Sequence, residues 1–342
     1  MQTPAPTVAD LGEDGLLALV FPLLPPGAAT LLGPGDDAAV VASPDGRVVV
    51  STDLLVEHRH FRRDWSTGDD VGHRAAVQNL ADVAAMGARP TALVVGLVMP
   101  GDLPVDWVLG LARGLAAACG PEVGVVGGDL SGGAEVVVAV TVHGDLEGRA
   151  PVRRSGARPG DVVAHAGVRG RSAAGLALLR AGAVGPSGAG GTGAGTGAGA
   201  DAALEALVDA YRRPTSPLAA GPLAARAGAT AMLDVSDGLL RDAGRLARAS
   251  GVALDLDVPG SAFPADLAAL EPAAALLGAD AAAWVLAGGE DHGLLATFPP
   301  GAALPPPFRA CGRVLDAQGA PGRVTVGGAE HTGPTGWDHF AG

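Results

Sequence analysis

Apolar residues in this chain fall into two kinds of run. Short, nearly continuous runs of Val, Ala and Leu are bounded by Gly, Pro or Asp and read as buried strands: ALVVGLVM at 92–99, EVGVVGGD at 122–129, EVVVAVTVHGD at 135–145, DVVAHAGV at 161–168 and ATAMLD at 229–234. Longer stretches with apolar residues three and four apart read as helices, at 66–90, 102–120, 172–182 and 236–251. Ser66 and Asp69 have the spacing of a capping box at the first helix, Gly87 and Pro90 mark its end, and Ser236 stands where the last would be capped. AAVVASPDGRVVVSTD at 38–53 predicts two strands joined at its Pro-Asp-Gly turn. Strands and helices in close succession predict an α/β (α+β) protein.

Two domains are expected, 1–148 and 149–342, because EGRAPVRRSGARPG at 147–160 is polar, basic and rich in Gly and Pro. A tract of Gly, Ala, Thr and Ser at 184–200 reads as a flexible insert in the second. It contains GAGGTG at 188–193, a formal GxGxxG match, but no strand precedes it and low-complexity sequence produces such matches by chance.

Composition narrows the function. The chain has 342 residues, 48% hydrophobic but only 3% aromatic, so the core must be built from Ala, Val and Leu. No run approaches the roughly 18 apolar residues of a membrane span, and MQTPAPTVADLGED lacks a signal pattern, so a cytoplasmic location away from membranes is expected. Cys119 and Cys311 make neither a disulfide framework nor a zinc site. All 23 basic residues are arginine, which excludes a P-loop and a protein-kinase fold, since each needs a lysine. A formal charge of -13 argues against nucleic acid as a partner. Phosphates would have to be met by divalent metals and a few arginines.

Acidic residues supply the candidates for that role. Asp36 and Asp37 follow a Gly-Pro-Gly turn, and apolar runs end at Asp53, Asp129, Asp234 and Asp237, and Glu290 and Asp291, several beside glycine. Asp82 lies inside an alanine-rich helical stretch. Mg²⁺ takes oxygen ligands from one or two carboxylates plus waters and phosphates, so carboxylates at strand ends suit several ions bridging a nucleoside triphosphate, with Ser51 and Thr52 adding hydroxyl or carbonyl oxygens. Taken singly, each has a plainer reading: an Asx turn at Asp36 and Asp37, a helix cap at Asp234 and Asp237, an ion pair with Arg74 or Arg89 at Asp82. His60 reads equally as a surface histidine, and Trp337 as an anchor for the tail.

The ordered series GPGDDAAVV, STDLLVEHRHF, NLADVAAMGARP, VVGGD, RRSGARPGD, GRSAAGLALL, LDVSDGLLRDAGRLA, LAGGEDHGLL and GWDHF resembles the thiamine-monophosphate kinases, from about residue 11 to 340. That resemblance implies the two-domain aminoimidazole-ribonucleotide-synthetase-like fold, with an N-terminal domain forming a homodimer. It also implies transfer of the ATP γ-phosphoryl group to thiamine monophosphate with several Mg²⁺ ions. Metal ligands then fall on Asp37, Ser51, Thr52, Asp53, Asp82, Asp129, Asp234 and Asp237, with Asp53, Asp82 and Asp129 central to catalysis. ATP contacts fall on Gly128, Asp129, Arg154 and Ser236, and substrate contacts on His60, Glu290 and Trp337. The chain departs from the family pattern at Leu130, Ser131, Arg171, His292 and Gly293. Another ATP-dependent member of the superfamily, or a metal-dependent phosphatase, is the alternative.

Overall fold

The computed structural model describes residues 5–35, 38–184 and 198–338. Contacts divide them into two compact units, residues up to 83 with 90–148, and residues 84–89 with 149 onward. Asp37 and residues 185–197 of the glycine tract lie outside the described residues.

The first unit contains helices α1 (Val8–Val20), α2 (Gly68–Ala85) and α3 (Val105–Cys119) and strands β1 (Thr30–Leu32), β2 (Val40–Val41), β3 (Val49–Val56), β4 (Arg89–Met99), β5 (Gly124–Gly132) and β6 (Val137–Asp145). Its four-stranded sheet has the order β3-β6-β4-β5, with β3 antiparallel to β6 and β4 parallel to β5. The expected hairpin across Pro44-Asp45-Gly46 does not form. β2 pairs with β1, and β3 pairs with β6, so long-range pairing outweighs the local turn. Helices α2 and α3 touch backbone to backbone through glycines: a Cβ at Gly72 would stand 2.0 Å from the Leu111 carbonyl oxygen, and one at Gly114 would stand 2.1 Å from that of Asp69. This close approach lets a core poor in aromatics fill without large side chains. The capping box of α2 is made one residue later than expected, by Thr67 and Asp70, whose side chains accept from each other's backbone amides.

The second unit contains strands β7 (Val162–Ala166), β8 (Ala231–Val235), β9 (Ala253–Leu256), β10 (Gly293–Phe298), β11 (Arg309–Leu315), β12 (Val324–Val326) and β13 (Ala329–Glu330). Its helices are α4 (Arg171–Arg180), α5 (Ala198–Arg212), α6 (Ala220–Arg226), α7 (Leu239–Ser250), α8 (Pro259–Ala262), α9 (Pro264–Leu277) and α10 (Ala281–Ala287). Helix α5 therefore begins inside the stretch read from sequence as a linker. The seven-stranded sheet runs β13-β12-β9-β11-β7-β10-β8, and β8 and β10 are buried throughout. The Ser236 hydroxyl does not cap α7: the cap position is Gly238, and the Asp242 carboxylate takes the Asp237 amide instead.

Candidate active site

In the first unit, Ser51, Asp53, Asp82 and Asp129 stand on regular elements. Asp53 and Asp129 are not at strand ends as expected. They lie within β3 and β5, which continue past them because both residues are solvent-exposed and impose no burial cost. Side chains alternate along β3, so Ser51 and Asp53 share a face while Thr52 points the other way. The Ser51 hydroxyl donates to Asp82 Oδ2 at 2.6 Å, which ties the strand to α2 and answers the question of the half-buried carboxylate. Thr52 Oγ1 donates instead to the Val140 carbonyl at 2.9 Å. Asp129 accepts from the Ser131 hydroxyl at 3.2 Å, so one departure from the family pattern keeps a hydroxyl on this carboxylate. Gly128 is required by packing, since a Cβ there would fall 2.0 Å from the Val95 carbonyl oxygen. His60 follows β3, with Nδ1 accepting the Val56 amide at 3.0 Å.

In the second unit the turn after β8 gathers several candidates. The Ser236 carbonyl accepts the Glu290 amide at 2.7 Å, and the Asp237 carbonyl accepts the Trp337 amide at 2.8 Å. Residues far apart in sequence are thus stitched to one turn. Trp337 is held to this turn by its backbone amide, and the residue is 52% exposed. Asp237 receives Arg245 Nη2 at 2.6 Å, and Arg245 Nη1 also reaches Asp242. Burial, reinforced by Asp234, pushes the Asp242 carboxyl up to about 6. Arg154 is exposed, and its carbonyl accepts from Ser250 Oγ.

Asp234 is buried on β8, and the atypical His292 stands between it and Glu290: Nδ1 lies 3.7 Å from Asp234 Oδ2 and Nε2 lies 3.7 Å from Glu290 Oε2. Those distances are ionic contacts, too long for hydrogen bonds. Burial disfavours the charged ring, but the two carboxylates outweigh it and push His292 up to about 10. Glu290 and His292 both have positive φ, 70° and 50°, in a region that non-glycine residues seldom occupy. The loop is held there by Asp291, which accepts the Gly170 and Ser172 amides, and by Arg169, which donates to the Gly288 carbonyl. Strain held in place by such a network is a feature of functional loops.

The other departures have local partners. Arg171 donates to Asp266 at 3.0 Å and so fastens α4 to α9. Gly293 is matched to His165, whose Nε2 would lie 2.5 Å from a Cβ at that position. Sequence reasoning missed the pairs Arg169–Asp291 and Arg245–Asp237. An arginine beside each Gly- or Asp-rich turn was the available signal, and it does not name the partner.

The donors offered by the first unit, from Ser51, Asp53, Asp82 and Asp129, are all oxygens. Among the described residues no three His, Cys, Asp or Glu side chains are arranged to cage a metal alone. Mg²⁺ needs no such cage, because it keeps waters and takes phosphate oxygens alongside one or two carboxylates. The donor set therefore fits Mg²⁺ held jointly with a polyphosphate.

Fold and donor set meet in one class of protein. Residues 35–146 match the AIR synthase related protein N-terminal domain, and residues 158–303 match the corresponding C-terminal domain. The thiamine-monophosphate kinase of Mycobacterium tuberculosis is 46% identical over 99% of this chain and 95% of its own length. That of Corynebacterium glutamicum is 44% identical over 90% and 88%. Among solved structures, AaThiL complexed with AMPPCP and TMP is 30% identical with a TM-score of 0.73, covering 99% of both chains. The chain belongs to the thiamine-monophosphate kinase family.

Proposed function

We propose that this protein transfers the γ-phosphoryl group of ATP to thiamine monophosphate, giving thiamine diphosphate and ADP. The observation that carries this reading is the end-to-end likeness to kinases of that name, one of them solved with AMPPCP and TMP. The acceptor is a phosphate oxygen already ionised near neutral pH, so the protein need not supply a base. Its work is positioning and charge neutralisation. Asp53, Asp82 and Asp129 are the catalytic carboxylates. With Asp37, Ser51 and Thr52, and with Asp234 and Asp237 of the second unit, they make up the Mg²⁺ ligands. Bound Mg²⁺ supplies neutralisation of the β- and γ-phosphate oxygens. Gly128, Asp129, Arg154 and Ser236 contact ATP, and the reaction takes place in the cytoplasm.

His60, Glu290 and Trp337 contact thiamine monophosphate. Its cationic thiazolium calls for an aromatic face and a nearby carboxylate, and the backbone amides of the half-exposed Trp337 and of Glu290 are tied to the same turn. Trp337→Ala is expected to raise KM for thiamine monophosphate by about 5- to 30-fold, the equivalent of about 1–2 kcal/mol, while KM for ATP hardly changes. Equal weakening of both substrates in steady-state assays, with a lower Tm, would return Trp337 to a structural role.

The protein works as a homodimer. The edge strand β3 presents Val50 (59% exposed) and Leu54 (54%) on one face, beside an exposed Val48, and a second copy is the partner that covers them. Light scattering should give twice the chain mass; a single-chain mass at micromolar concentration contradicts the dimer.

A further inference from the structure

Glu57 directly follows β3, and only 2% of it is exposed. A buried carboxylate is costly unless it is paired and hydrogen-bonded. This one is both: Oε1 accepts from Arg63 Nε, Oε2 accepts the Val136 amide at 3.0 Å, and His58 Nε2 lies 3.9 Å from Oε1. The Glu57 amide in turn donates to the Val136 carbonyl at 2.9 Å. Burial works against ionisation, but Arg63 and the Val136 amide outweigh it and hold the carboxyl below its ordinary range. Closing the β3–β6 pair does not require this clamp, since the two strands already pair over the eight residues Val49–Val56.

What the clamp does fix is the turn that follows. Its far end is Phe61, 2% exposed and stacked on Trp107 of α3 with ring centroids 6.4 Å apart. Between the two anchors His58 has φ of 65°, a conformation that non-glycine residues seldom adopt, and its amide donates to the Phe61 carbonyl at 2.7 Å. His60 is fastened twice to Val56, the residue before Glu57. Its amide donates to the Val56 carbonyl at 2.9 Å, and its Nδ1 accepts the Val56 amide at 3.0 Å. A ring nitrogen that accepts from an amide carries no proton, so the imidazole proton sits on Nε2.

We propose that Glu57 is a positioning residue for the acceptor substrate: by clamping the 57–61 turn it holds His60 in the Nε2–H tautomer, a neutral donor for a phosphate oxygen of thiamine monophosphate. The inference rests on the assignment of His60 to that substrate, and adds the atom, the tautomer and the buried carboxylate behind them. Protonation at Nδ1 would cost the bond to Val56, so His60 serves as a donor and not as a base or a cation.

Steady-state kinetics of the full chain, with nitrogen NMR of its histidine rings, test it. Glu57→Gln keeps the size of the side chain but not its charge. It should raise KM for thiamine monophosphate about fivefold, the worth of one hydrogen bond, and leave kcat and KM for ATP within about twofold. Arg63→Gln, made at a partly exposed side chain, should shift the same KM in the same direction, and it decides the matter if Glu57→Gln does not fold. In long-range ¹H–¹⁵N spectra of labelled wild type, with the His60 signals identified by their loss in His60→Ala, the proton should be on Nε2. The clamp variants should show both tautomers. A wild-type ring protonated on Nδ1 overturns the proposal, and so does a folded clamp variant in which either the KM or the tautomer is unchanged. A lower Tm with KM raised equally for both substrates gives Glu57 a structural role only, and also overturns it. If wild type forms no thiamine diphosphate, or His60→Ala leaves KM for thiamine monophosphate unchanged, the reading beneath has failed and the proposal goes with it.

Discussion

Asp53→Asn is expected to lower kcat about a thousandfold, on the order of 4 kcal/mol of transition-state stabilisation, while the fold is kept. The side chain lies on the exposed part of β3, away from the core, so the isosteric amide should change stability by no more than about 0.5 kcal/mol. What is lost is a negative oxygen on the face shared with Ser51, whose hydroxyl is held by Asp82. An amide oxygen carries no formal charge and binds Mg²⁺ weakly, so raising the metal concentration should recover only part of the rate. Initial rates across a Mg²⁺ series, with a thermal melt of the same sample, check both halves. Near-wild-type kcat at saturating Mg²⁺ would remove Asp53 from the ligand set.

Asp291→Ala is expected to have the largest effect on stability, about 3–5 kcal/mol, because it leaves a buried charge unpaired. Arg169 is 0% exposed, and its Nη1 lies 3.6 Å from Asp291 Oδ2. Burial pushes the Asp291 carboxyl up, against the opposing pull of Arg169 and of the Ser172 and Gly170 amides. Removing it takes from Arg169 its one carboxylate partner among the described residues, leaving the guanidinium its bonds to the Val285 and Gly288 carbonyls. It also strips the acceptor from two amides at the start of α4, and releases the loop that holds Glu290 at positive φ. Urea denaturation of wild type and variant measures the difference. A loss under about 1 kcal/mol would show that the pair contributes little beyond its own desolvation.

Much of this architecture is legible in the sequence because apolar runs are a local signal. Strands β4 to β8 and helices α2, α3, α4 and α7 stand where Val- and Ala-rich patterns predict them. What fails is whatever depends on partners far along the chain. β3 takes β6 as its neighbour, a choice the turn at 44–46 cannot encode. Asp53 sits within its strand because an edge position tolerates a solvated charge, which composition alone does not show. Strand alternation sends the Ser51 and Thr52 hydroxyls to opposite faces, which adjacency in sequence does not show. The cap of α7 went to Gly238 because Asp242, a residue inside the helix, reaches back to the Asp237 amide. The arginines and amides that hold the acidic candidates were hidden because ion pairs between distant segments leave no spacing to read.

The central claim is direct phosphoryl transfer from ATP to thiamine monophosphate. Its most direct test is incubation of the protein with ATP labelled in the γ-phosphate, Mg²⁺ and thiamine monophosphate, followed by chromatographic separation of the products. The account predicts label in the terminal phosphate of thiamine diphosphate, with ADP formed in equal amount. Label recovered only as inorganic phosphate, with thiamine monophosphate unchanged or cleaved to thiamine, would contradict it.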